Sequence, residues 1–188
     1  MTLGELLRLT IEGLDRLQIP YAIVGSFASG VWGQPRMTLD IDIVIRLGAE
    51  RTDDFCSLFS GDQFYRSRQA IDEAVSLRRP FNVIHTDSGI KVDFMVVDNT
   101  GWNRSQLTRR VKLELLPDVT GYVASPEDVI LGKLVYFHEG HSEKHVLDIL
   151  GIIKNNSSQL DRAYIEQQAR ELGVTDLWHE IARKVNPG

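Results

Sequence analysis

A single cysteine, Cys56, rules out an internal disulfide and fits a reducing compartment. With no obvious general base beside it, this thiol reads as a small buried hydrophobe and not as a nucleophile. Long apolar runs are missing as well. The uncharged stretch Ile19 to Pro35 is broken by Pro20, Gly25 and Ser26, and it is too short to span a bilayer. Glu5, Arg8, Glu12 and Asp15 interrupt what would have to be the apolar core of a signal peptide. No membrane partner is expected, and the reading is a cytoplasmic protein. Excess positive charge is also absent: Lys and Arg number 21 against 26 Asp and Glu, a formal net charge of −5. That excludes a protein coating nucleic acid by bulk charge, though not one with a local basic groove. Low-complexity segments and internal repeats are absent too.

What is present suits a globular chain. In 188 residues, 43% hydrophobic and 25% charged, there is material for one well-cored domain with a helical annex. Leu3, Leu6, Leu7, Leu14 and Leu17 recur at helical spacing, which predicts an amphipathic helix over residues 2–18 ended by Pro20. The apolar run 21–24 is a short strand entering Gly25-Ser26, with a short helix over 26–33 and Ser26 as its N-cap. Strict alternation over 39–45 places Leu39, Ile41, Ile43 and Ile45 on one strand face, and Asp40 and Asp42 on the other.

Helices are expected over 51–60 and 68–78, with a weak strand over 62–66 between them. Two strands, FNVIHT and IKVDFMVV, are joined through the turn Asp87-Ser88-Gly89. In the second strand Lys91, Asp93, Met95 and Val97 share a face. A further strand pair, VKLELL and GYVAS, surrounds Pro117-Asp118. From Ser125, a good N-cap followed by Pro126 at the first helical position, the pattern turns to helices only. These are expected over 126–138, 142–154, 161–172 and 175–185. The reading is a mixed α/β domain over residues 1–124 and a helical region over 125–188.

Asp40, Asp42 and Asp93 each sit on a strand between apolar neighbours. If the two strands adjoin in one sheet, the three carboxylates approach one another, which is untenable without cations. Mg²⁺, or Mn²⁺, prefers such oxygen donors. Two such ions about 3.5–4 Å apart clamp the attacking and leaving oxygens of a phosphoryl displacement. A carboxylate also serves as base towards an attacking hydroxyl. The Gly25-Ser26 turn before a helix offers backbone N–H groups and a hydroxyl to an anion such as a nucleotide triphosphate.

The order of apolar strand, Gly-Ser, short helix, Asp-x-Asp strand and later lone Asp resembles the DNA polymerase β-like nucleotidyltransferase superfamily. More narrowly, VGSFASGVWGQPRMTLDIDIVI is similar to the first motif of small bacterial proteins related to the AbiEii and MenT toxins. SPEDVILGKL and SEKHVLDILGII resemble their later motifs. The resemblance implies a nucleotidyltransferase fold, an α/β (α+β) architecture whose small mixed sheet is flanked by helices and followed by a C-terminal helical bundle. It implies metal ligation by Asp40, Asp42 and Asp93, and nucleotide binding by Gly25, Ser26 and Lys133, with Asp148 orienting Lys133 or contacting the acceptor. The reaction implied is attack on the α-phosphate of a nucleoside triphosphate such as ATP, releasing pyrophosphate. The acceptor is RNA, a protein or a small molecule. The alternatives are a non-catalytic nucleotide-binding protein of a toxin–antitoxin pair, with a partner protein, and a metal-dependent phosphohydrolase.

Other candidates have plainer readings beside the functional one. Lys133 also reads as an exposed helix lysine, and Asp148 as one half of a structural ion pair, because a carboxylate among apolar residues needs a partner. Arg36 suits phosphate or a nearby acid equally. His138, His141 and His145 are close together, but Gly140 interrupts them, the pattern is not His-Glu-x-x-His and no third zinc ligand is obvious. His85 at the hairpin end reads as solvated. Arg104, Arg109, Arg110 and Lys112 beside Trp102 read as a solvated face, or as a landing patch for RNA phosphates with stacking on the indole.

Overall fold

The computed structural model describes residues 1–185. Along the chain lie α1 (Leu3–Arg16), β1 (Tyr21–Ile23), α2 (Gly25–Trp32), β2 (Asp40–Ile45), a 3-10 turn (Ala49–Arg51), α3 (Thr52–Leu58) and β3 (Phe64–Tyr65). Then follow α4 (Arg68–Leu77), β4 (Pro80–His85), β5 (Lys91–Val96), α5 (Gly101–Thr108), β6 (Val111–Leu116) and β7 (Val119–Val123). The last elements are α6 (Pro126–Gly140), α7 (Glu143–Asn156), α8 (Arg162–Glu171) and α9 (Thr175–Val185). The mixed α/β class read from the sequence is the observed one.

The chain divides into two units: residues 1–23 with 38–123, and residues 24–37 with those from 124 onward. The first holds one sheet, which among the described residues has seven strands in the order β3-β4-β5-β2-β1-β7-β6. Its centre is the parallel pair β2–β5, flanked by antiparallel β4 on one side and antiparallel β1 on the other. The alternation read from the sequence decides which face is covered. Ile41, Ile43, Ile45, Val92, Phe94 and Val96 are buried. Phe94 lies 5.0 Å from the Phe55 ring of α3 edge-on and 5.2 Å from the Phe81 ring of β4 in a stacked pair. Phe59 and Phe64 extend this aromatic layer, whose offset and edge geometries suit the ring quadrupoles.

Local chemistry sets the element ends. Thr2 and Glu5 close a capping box on α1, with Glu5 Oε2 accepting from the Thr2 amide at 2.7 Å and Thr2 Oγ1 accepting from the Glu5 amide at 3.2 Å. That helix ends before Pro20, at Leu17, and Gln18 adopts a left-handed φ of 53°. Gly89, with φ of 69°, makes the turn between β4 and β5 that a residue with a Cβ rarely adopts. Ser125 caps α6 by accepting from the Asp128 amide at 3.2 Å, as its place before Pro126 predicts.

The second unit contains α2, α6, α7, α8 and α9. Residues 24–37, read from the sequence as part of the 1–124 domain, group with these helices because α2 and its exit are tied to them. Trp32 Nε1 donates to the Ala124 carbonyl at 2.8 Å, Asn155 to the Gly33 carbonyl at 2.8 Å, and Asn156 to the Trp32 carbonyl at 2.7 Å. A Cβ on Gly33 would stand 3.0 Å from the Ile152 amide nitrogen and 3.2 Å from the Gly151 carbonyl carbon. Both are backbone atoms of α7 that cannot rotate away. Gly33→Ala is therefore expected to destabilise the protein by about 1–3 kcal/mol, read as a lowered melting temperature. Among the described residues no helix is long and apolar enough to cross a membrane.

Candidate functional site

In the sheet unit, β2 and β5 run parallel with Asp42 beside Asp93 and Asp40 beside Lys91. Because successive residues alternate in direction, the residues that bury Ile41, Ile43, Val92 and Phe94 force Asp40, Asp42, Lys91 and Asp93 onto the opposite face. All three carboxylates expected from the sequence thus share one face of two neighbouring strands, which lie about 4.7–4.9 Å apart. Asn82 of β4 stands beside Asp93 on its other side. Thr38 holds the strand entry, its hydroxyl donating to the Asp40 carbonyl at 3.2 Å.

A cation already sits on this face. Lys91 Nζ donates to Asp93 Oδ2 at 2.7 Å and lies 3.8 Å from Asp40 Oδ1. The hydrogen bond to Asp93 raises the Lys91 pKa, and the charges of Asp93, Asp40 and Asp42 raise it further against the opposing effect of burial. Among the described residues no three His, Cys, Asp or Glu side chains converge on one point as metal ligands. All three groups are carboxylates on one face, the oxygen-donor type that a hard divalent cation takes.

In the helical unit, Gly25 opens α2 with φ of 64°, and Val24 precedes it as the flanking residue. Ser26, expected as the N-cap, lies inside the first turn and caps nothing; its Oγ accepts from the Arg36 guanidinium. Arg36 Nε also donates to Asp148 Oδ1 at 3.2 Å, and Lys133 Nζ donates to Asp148 Oδ2 at 2.7 Å. The structure thus brings Ser26, Arg36, Asp148 and Lys133 into one connected set. Side chains of Lys133 and Asp148 are only 4% and 6% exposed, so Lys133 is not the exposed helix lysine that its sequence context allowed. Burial pushes the Asp148 carboxyl upward, but hydrogen bonds from Lys133 and Arg36 outweigh it and hold the pKa below the usual carboxylate range. Burial and the neighbouring Lys133 lower the pKa of His145, with Asp148 opposing them.

Several side chains differ from their sequence reading. His85 is buried, not solvated, because its ring packs 5.6 Å from Phe64 and its Nδ1 pairs with Ser88 Oγ at 2.9 Å. His141 ends α6 in a left-handed conformation, whereas His145 stacks on Tyr136 from α7. In the basic cluster, Arg110 lies over the Tyr122 ring at 4.4 Å with Lys112 at 5.7 Å from the same ring, so both cations already face an aromatic partner. Sequence reasoning passed over Lys91 and Asn82 as site residues. The period-2 pattern puts Lys91 on the Asp93 face, but only the register of β5 against β2 reveals Asp40 as its second carboxylate neighbour.

No model of a protein family matches the sequence, and no curated protein matches it. Solved structures do. The chain is similar to the solution structure of the antibiotic-resistance factor ANT(2'')-Ia, at 15% identity and a TM-score of 0.55 over 94% of this chain and 95% of that one. It is similar to the crystal structure of ANT(2'')-Ia in complex with adenylyl-2''-tobramycin, at 14% identity and a TM-score of 0.57 over 90% and 95%. A third likeness is to an antigenic nucleotidyltransferase-like protein from Paracoccidioides brasiliensis, at 19% identity and a TM-score of 0.50 over 98% and 96%. At these identities the likeness is one of fold, and it agrees with the architecture that the motifs of the sequence implied: this chain has the fold of the nucleotidyltransferases.

Proposed function

We propose that the protein is a nucleotidyltransferase that moves a nucleoside monophosphate from a nucleoside triphosphate to an acceptor hydroxyl, with release of pyrophosphate. One observation carries the reading: three carboxylates, Asp40, Asp42 and Asp93, share a face of the parallel β2–β5 pair in a nucleotidyltransferase fold. In this proposal Asp40, Asp42 and Asp93 would hold Mg²⁺ or Mn²⁺, whose bound charge would supply electrostatic stabilisation to the phosphate under attack. Asp93 takes the proton of the acceptor hydroxyl, for which a carboxylate at hydrogen-bond reach is a competent base. The helical unit, by itself, offers donors of the kind that bind phosphate, at Gly25 and Ser26 where α2 starts and at the Arg36 guanidinium. Lys133 and Asp148, buried against each other, take the structural role.

A non-catalytic protein on the same fold, or half of a toxin–antitoxin pair without chemistry of its own, has no need of three carboxylates gathered on one strand face. The acceptor is RNA, a protein side chain or a small molecule. The neighbour whose structure holds adenylyl-2''-tobramycin supports including hydroxyl-bearing small molecules among those tried. The test is incubation with each labelled nucleoside triphosphate and Mg²⁺ or Mn²⁺, in the presence of total RNA, of the protein alone or of a panel of polyhydroxylated small molecules. Pyrophosphate release with label transferred to one acceptor class is the expected outcome. Triphosphate cleaved to free nucleotide and phosphate, with no label transferred, would replace this reading with a phosphohydrolase.

A further inference from the structure

Lys91 is on the carboxylate face for a physical reason. Two residues before Asp93 on the same strand, it points the same way, and the parallel register sets it directly beside Asp40. Its ammonium therefore reaches a carboxylate on each strand, at 2.7 Å to Asp93 and 3.8 Å to Asp40. An ammonium is a compact point charge on a flexible four-carbon stem, so it can neutralise this face and still swing away. The pairs are partly exposed, with the side chains of Lys91, Asp93 and Asp40 at 37%, 29% and 48%. At such exposure each ion pair is weak enough to be broken by a stronger ligand.

We propose that Lys91 is the resident counter-ion of the carboxylate face: its ammonium holds Asp40 and Asp93 while no divalent cation is bound and must be displaced for one to bind. Lys91 thereby sets the cation affinity of the site and keeps the strand pair stable without metal. This inference rests on the reading of Asp40, Asp42 and Asp93 as a cation-binding group. It goes beyond that reading in making binding an exchange of one cation for another.

The experiment is titration of the full chain with Mn²⁺, following free Mn²⁺ by electron paramagnetic resonance. It compares wild type, Lys91→Met, Lys91→Gln and Asp42→Asn. Both Lys91 variants are expected to bind Mn²⁺ about fivefold more tightly, the worth of losing an exposed ion pair that competes with the metal. They are also expected to melt below wild type in EDTA and to gain more in melting temperature from Mn²⁺ than wild type does. Asp42→Asn is expected to weaken binding. Equal or weaker Mn²⁺ binding by the Lys91 variants, with Asp42→Asn still impaired, overturns the counter-ion role and leaves the metal site standing. If Asp42→Asn binds as wild type does, or if wild type binds no Mn²⁺, the metal-site reading fails and the Lys91 role falls with it.

Discussion

Asp148→Ala is expected to lower the free energy of unfolding by about 3–5 kcal/mol, the usual consequence of removing one partner of a buried ion pair. The magnitude follows from what remains behind. Lys133, 4% exposed at its side chain, would remain in the interior between α6 and α7 with its 2.7 Å acceptor gone. Arg36 would lose its 3.2 Å acceptor at the same time. Lys133→Met gives a smaller loss, since Asp148 keeps Arg36 and the methionine refills the lysine stem. Urea unfolding reads the difference as a lower midpoint at unchanged slope. An Asp148→Ala protein as stable as wild type at neutral pH would show that this set does not hold the helices together.

The same pair imposes a pH dependence whose sign is determined. The folded-state pKa of Asp148 is depressed, so its contribution is fully present above the unfolded value of about 3.9. It is lost as pH falls through the still lower folded value. Below that point wild type also holds Lys133 beside a neutral partner, so the gap between wild type and Asp148→Ala is expected to shrink in acid. Midpoints measured from pH 7 down to pH 3 test this, and a gap that stays constant would assign the stability to packing instead of charge.

How far the sequence carried these conclusions depends on the range of the interaction involved. Alternation along LDIDIVI and IKVDFMVV was enough to put Asp40, Asp42 and Asp93 on polar faces, because the period of 2 is a local property. Ser125 before Pro126 gave the start of α6 for the same reason, and the Thr2–Glu5 capping box was legible but passed over. The adjacency of β2 and β5 was not legible: both strands are flanked by turns, and nothing local selects a parallel partner over another strand. Ser26 looked like a cap because Gly-Ser before an apolar helix normally supplies one. The left-handed Gly25 instead starts the helix one residue earlier and leaves the hydroxyl to Arg36. Grouping of residues 24–37 with the helices depends on Gly33 meeting Gly151 and Ile152, a long-range approach that no composition shift announces. The burial of His85 is equally non-local, since the Phe64 ring that covers it comes from β3.

Under the proposed function, Asp42→Asn and Asp93→Asn are expected to lower nucleotidyl transfer at least about a hundredfold each, through loss of a proposed metal ligand or of the proposed base for the hydroxyl proton. These residues are register neighbours on β2 and β5, and each substitution changes charge while nearly conserving shape. Stability should respond in the opposite sense from Asp148→Ala. Asp93 and Asp42 belong to a crowded set of like charges on a partly exposed face, so replacing one relieves repulsion and leaves no buried charge without a partner. Melting temperatures without metal are expected to match or exceed that of wild type, within about 0.5 kcal/mol in stability. For Asp93→Asn the relief is partly offset, because the substitution weakens the 2.7 Å bond from Lys91. Transfer at the wild-type rate by either variant would remove the carboxylates from the chemistry. Loss of transfer together with a collapse in stability would mean that the face is structural, like the buried set around Asp148. The two carboxylate groups of the chain are thus told apart by one pair of measurements. Removal of a carboxylate buried between cations is expected to cost stability, and removal of one from the crowded strand face is expected to cost rate.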